Sequence, residues 1–124
     1  MKSYTDIAQS RKLAEILPID SADMHYSTWT ILKDGEFIVS PNQGDTIENL
    51  RKDYGNQIIP CWSLAALIEL IPDECRMEKT PLDQTGEFTY SFIDDYYNIR
   101  TYEEGNPVDA CYEMILKFYE LNLL

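Results

Sequence analysis

Pro60 and Pro72 bracket an eleven-residue, mostly apolar run, Cys61-Trp62-Ser63-Leu64-Ala65-Ala66-Leu67-Ile68-Glu69-Leu70-Ile71. The run is far too short to cross a bilayer, which takes about 20 apolar residues. Its place is therefore a protein core. It reads as a helix. Pro60 takes the first helical position, where a missing N–H costs nothing, with Ser63 as an alternative cap, and Pro72 ends it. Apolar residues surround most of this helix, so it is expected at the centre of the fold.

The rest of the chain is punctuated in the same way. Residues 5–17 read as a helix, capped by Ser3 or Thr5, with Asp6 at the positive end of its dipole and Pro18 as its stop. Tyr26 to Leu32 and Glu36 to Ser40 read as two strands joined by Lys33-Asp34-Gly35, a hairpin signal. Asp45 or Thr46 caps a short helix through Asp53, with Ile47 and Leu50 inward and Gly55-Asn56 at its end. Arg76 to Leu82 and Glu87 to Ile93 read as strands, with Asp94-Asp95 in the following turn and Asn98 to Tyr102 returning as a paired strand. The last helix has the fullest signature. Asn106 caps, Pro107 takes the first position, and Val108, Cys111, Met114, Ile115, Phe118, Leu121 and Asn122 define its inner face. Leu123-Leu124 are expected to pack rather than fray.

Helices mixed with hairpins, without regular β-α-β alternation, give an α+β fold. We expect one domain over residues 1–124, a mainly antiparallel sheet with hairpins packed against three main helices. With 44% hydrophobic residues, nine Tyr, four Phe and two Trp, the chain is rich enough in apolar groups to fold without a metal or disulfide.

Charge excludes some partners. Twenty-two acidic residues face ten basic ones, a net −12. The excess is in the second half: residues 1–62 carry nine acids and six bases, residues 63–124 thirteen and four. The longest basic runs are Arg11-Lys12 and Arg51-Lys52. Phosphate backbones and anionic membranes need denser cation clusters, so neither direct nucleic-acid binding nor membrane adsorption is expected. A basic protein partner fits by long-range steering. The N-terminal stretch shows no signal peptide, and three widely spaced cysteines without a Cys-x-x-Cys pair point to a reducing cytoplasm.

Reactive constellations are scarce. His25 is the lone histidine, with Asp23 as its nearest candidate partner. Cys75 lies beside Arg76, which would favour its thiolate, whereas Cys61 and Cys111 sit on apolar faces. Three cysteines and one histidine at unrelated spacings make no zinc framework. Asp20-Ser21-Ala22-Asp23 lacks the glycine of a calcium loop, and no glycine-rich phosphate loop exists. No catalytic, metal or cofactor residues are assigned. The aromatics cluster instead. Tyr90, Tyr96, Tyr97 and Tyr102, with Asp94, Asp95, Glu103 and Glu104, form a candidate partner surface.

Three stretches carry a family likeness: Gln9-Ser10-Arg11-Lys12-Leu13-Ala14-Glu15-Ile16-Leu17-Pro18 with Ser21-Ala22-Asp23-Met24; Pro60 to Pro72; and Asn106-Pro107-Val108-Asp109-Ala110-Cys111-Tyr112-Glu113-Met114-Ile115. The Trp-Ser-Leu and Asn-Pro-Val-Asp-Ala-Cys segments are the most distinctive. Over nearly its whole length the chain resembles a group of uncharacterised small acidic proteins of gut Bacteroidales, often phage or mobile-element associated. The resemblance implies an intracellular bacterial or phage setting and transfers no functional residue. Three readings follow. The first is a non-catalytic protein-interaction module. The second is an acidic nucleic-acid mimic that occupies a host protein's basic groove. The third is a small hydrolase or thiol enzyme on His25 or Cys75. A homodimer through an exposed aromatic surface is compatible with the first.

Overall fold

The computed structural model describes residues 2–31, 35–82 and 84–124. The fold is α+β, with four α-helices and two three-stranded antiparallel sheets among the described residues. The chain divides into two compact units, Tyr4–Ala66 and Leu67–Leu124, the latter together with Lys2 and Ser3.

In the first unit, helix α1 spans Ile7–Ile16. Its cap is Asp6, not Ser3 or Thr5: the Asp6 carboxylate accepts the Gln9 N–H at 2.8 Å, and the Gln9 side chain returns a bond to the Asp6 N–H. This reciprocal box satisfies two otherwise orphaned donors. Strands β1 (Met24–Ile31) and β2 (Phe37–Pro41) pair antiparallel, with Tyr26 opposite Val39. The expected hairpin is therefore present, while Leu32, the expected end of its first strand, and Lys33 and Asp34 of its turn lie outside the described residues. Helix α2 (Ile47–Tyr54) is capped by Thr46 and ends at Gly55, whose φ of 60° suits glycine. Ile47 is buried and Leu50 half-buried.

The apolar run corrects the expected helix. Ile58–Cys61 is a strand, β3, with Pro60 inside it opposite His25. The sheet order is β2-β1-β3, so β3 is an edge strand, where proline is tolerated. Helix α3 begins only at Leu64 and ends at Leu70. Ser63 accepts the Ala66 N–H at 3.2 Å, and Asp23 accepts both the N–H and the hydroxyl of Ser63. Of α3, only Leu67 is fully buried, and Ile68 is exposed. The expectation of a centrally buried helix fails: β3 takes Cys61, the helix covers only Leu64–Leu70, and it fully buries one side chain.

What is central to this unit is the segment before α3. Tyr26, Ile59 and Cys61 form a buried cluster, with Tyr4, Ile7, Met24, Phe37 and Val39 packed against it. Fully buried Thr5 stitches it together. Thr5 N–H donates to the Trp62 carbonyl at 2.9 Å, Trp62 N–H donates to the Thr5 hydroxyl at 3.1 Å, and the Tyr26 hydroxyl donates to the Thr5 carbonyl at 2.7 Å. The Trp62 indole N–H donates to Ser21 Oγ at 3.0 Å. Buried polar groups thus have partners, as a stable interior requires.

In the second unit, β4 (Cys75–Leu82) pairs with β5 (Glu87–Asp94) along its whole length, and β6 (Ile99–Arg100) pairs with the end of β5. The return strand is shorter than expected, continued by a backbone bond from Thr101 to Phe92 and an isolated bridge between Tyr90 and Glu104. Helix α4 spans Pro107–Glu120 with Asn106 as cap, accepting the Asp109 N–H at 2.9 Å, and packs on β5. Val108, Ala110, Cys111, Met114, Ile115 and Phe118 are buried, as the stripe required. Leu121 and Asn122 are exposed, against their place in the stripe; of the last two residues, expected to pack, Leu123 is half-buried and Leu124 exposed.

Candidate interaction surface

The β5 strand sorts the candidate residues. Tyr90, Phe92 and Asp94 are alternate residues and share one face of the sheet. All three are buried. Tyr90 and Asp94 therefore do not belong to a partner surface, which corrects the sequence reading. Alternation alone does not account for this: Ser91 and Ile93 on the opposite face are buried too, and Phe88 is exposed, so the second half of β5 is covered on both faces.

Asp94 instead builds the turn that displays the others. Its carboxylate accepts the Tyr97 N–H at 3.0 Å and the Cys75 S–H at 3.3 Å. Asn98 follows with φ 55°, a left-handed geometry that asparagine tolerates. The turn projects Tyr96, 81% exposed, edge-on to Tyr97 with ring centroids 4.8 Å apart. Tyr97 meets Phe118 of α4 edge-on at 6.3 Å. Tyr102, also 81% exposed, lies under the Lys117 ammonium at 5.7 Å. Two adjacent residues of α4 therefore anchor two of the three tyrosines. Beside them an open cleft of about 330 Å³ is lined by Asn98, Ile99, Arg100, Lys117, Glu120 and Leu121. Sequence reasoning missed Lys117 and Leu121. The heptad-like stripe assigned Leu121 inward, and nothing local marks Lys117 as an aromatic contact.

The acidic rim is less bare than the sequence suggests. Asp95 accepts from Arg76 at 3.3 Å, and Glu78 bridges Arg76 at 3.5 Å and Arg100 at 3.2 Å. Glu103 is exposed. Glu104 is half-buried, and its carboxyl is pushed up by burial first, then by Glu113 and Asp109. Asp109 pairs with Lys2 at 2.8 Å.

The reactive candidates do not assemble. His25 Nδ1 lies 2.8 Å from the Asn42 side-chain oxygen, and the Asn42 amide donates to the Ala22 carbonyl. Its neighbour is thus an amide rather than Asp23, which serves Ser63. Cys75 has no help from Arg76, which is turned to Asp95 and Glu78. Burial, then the Asp94 hydrogen bond and charge, pushes the thiol up to about 12. Among the described residues no group of three or more His, Cys, Asp or Glu side chains is placed to hold a metal ion, and no helix is long and apolar enough to cross a membrane. No family model matches the chain, and no curated protein or solved structure matches it either.

Proposed function

We propose that this protein is a non-catalytic protein-interaction module that engages a basic partner through Tyr96, Tyr97 and Tyr102, with Asp95, Glu103 and Glu104 around them. The observation that carries the reading is the display of three tyrosines, two of them held by α4 and the third edge-on to its neighbour. A ring fixed by neighbours loses little freedom on binding, and Tyr is enriched where proteins meet. The sequence resemblance supports a phage or mobile-element setting, and three free thiols support a reducing, cytoplasmic one. The nucleic-acid mimic is the weaker reading, because Glu78, Asp95 and Asp109 already hold cations and Asp94 is buried. The enzyme reading is weaker still, since the Cys75 thiol is held protonated and His25 meets an amide.

The test is affinity capture from host-cell extract with wild-type protein and a Tyr96→Ser/Tyr102→Ser variant. The reading expects a basic protein retained by the wild type, lost by the variant and released by salt. Equal recovery by both, or recovery of nothing, would end it.

A further inference from the structure

The β4 strand is an edge of its sheet, in the order β4-β5-β6. Its outward backbone groups follow from the other side of β5. Tyr90 exchanges both backbone bonds with Glu104, and the Phe92 carbonyl accepts the Thr101 N–H. In an antiparallel sheet, residues alternate between bonding one neighbour and the other. Lys79 and Met77, which face Tyr90 and Phe92 in register, therefore turn their N–H and C=O groups away from β5. Neither makes a backbone bond to any other segment among the described residues. Met77 is 45% exposed.

Edges of this kind are normally protected by charge or proline. Here Lys79 is drawn off the edge, its ammonium 4.1 Å over the Phe88 ring. Pro81 closes one end. At the other, the Cys75 N–H is already given to Pro72. The open segment is thus Cys75-Arg76-Met77-Glu78-Lys79, and its charges are self-complementary about Met77.

We propose that β4 pairs antiparallel with β4 of a second copy, about a two-fold axis at Met77, joining two three-stranded sheets into one. In that register Met77 bonds its own counterpart, Lys79 N–H meets the Cys75 carbonyl of the second copy, and Arg76 of each chain lies directly opposite Glu78 of the other. The two ion pairs extend the Arg76–Glu78–Arg100 chain already on that face. A C₂ interface requires such self-complementarity, residue i meeting j and j meeting i. Slipping the register to place Glu78 on Glu78 would set like charges opposite each other, which is destabilising. This dimer uses the β4 edge rather than the tyrosines, and the two surfaces meet at the Arg76–Asp95 pair.

Sedimentation velocity across a wide concentration range tests it. The wild type should be a dimer that dissociates on dilution. Arg76→Glu and Glu78→Arg should each weaken dimerisation by about tenfold or more, by placing like charges in both pairs. An equimolar mixture of the two variants should recover the dimer as a heterodimer, since opposite charges then face each other twice. Met77→Pro should be monomeric, because an edge proline cannot donate across the axis. A wild type that stays monomeric, a dimer indifferent to Met77→Pro, or a mixture no tighter than its components would each overturn the proposal. The mixing result stands even if the proline variant does not fold.

Discussion

The Cys75 thiol donates to the Asp94 carboxylate across the β4–β5 pair, 3.3 Å from sulfur to oxygen. A carboxylate that accepts from a thiol stabilises its protonated form, and burial acts in the same direction. The thiolate is the nucleophile, so this cysteine is quiet at neutral pH. Labelling of the native protein with a thiol reagent near neutral pH should be slow at Cys75. Asp94→Asn removes the negative charge yet keeps an oxygen for the Tyr97 N–H. Peptide-resolved mass spectrometry should then show faster Cys75 labelling. An unchanged rate would mean that burial alone silences the thiol.

Cys111 is one of the groups that give stability an alkaline limb. Burial, with a smaller effect from Cys75, pushes its thiol from 9.0 up to about 12. Below pH 9 the thiol is protonated in both the folded and the unfolded chain, and its contribution is complete. Between pH 9 and 12 the unfolded chain has released the proton while the folded chain still holds it. Stability therefore falls as pH rises through that window, with a limiting slope of about 1.4 kcal/mol per pH unit for this one group. Urea unfolding at stepped alkaline pH should show a shallower decline for Cys111→Ala than for the wild type. Parallel curves would show that other groups set the alkaline limb.

Leu67 and Ile68 are neighbours on α3 with opposite fates. Leu67 is 0% exposed and Ile68 45%. Leu67→Ala should cost about 2–5 kcal/mol through lost burial and a residual cavity, and Ile68→Ala well under half of that. The pair of urea midpoints tests whether α3 has one buried stripe. Similar losses would restore the centrally buried helix that its composition suggested.

That helix marks where the sequence was readable and where it was not. Asn106-Pro107 fixed the start of α4, because a side-chain cap followed by an N–H-free residue has few other uses. Pro60 misled for the same reason in reverse. It stands at the start of an apolar run, yet it occupies an edge strand, and a short continuous apolar strand has no period to separate it from a helix. Asp6 was assigned to the dipole when its carboxylate is the cap. At the candidate surface, β5 is buried on both faces from Tyr90 to Asp94, which period-two alternation does not encode. The contacts of Tyr97 with Phe118 and of Tyr102 with Lys117 depend on how α4 lies against the β5–β6 turn. No local pattern encodes that.

Thr5 is the sharpest test of the first unit. Read as a helix cap from sequence, it is instead a fully buried hinge point of polar contacts. Its hydroxyl accepts the Trp62 N–H and lies 2.8 Å from Ser10 Oγ. Valine has nearly the same shape but leaves that N–H without its partner, while the Ser10 hydroxyl keeps its contact with the Cys61 sulfur. A buried unsatisfied group costs roughly 1–3 kcal/mol, more than a typical hydrogen bond contributes when both partners are removed together. Thr5→Val should therefore lower stability by about that amount in urea, while Thr5→Ser, which keeps the oxygen and loses one methyl, should lose only about 1 kcal/mol. The ordering discriminates between causes. If packing dominated, serine would be the worse substitution; if the Trp62 bond dominates, valine is.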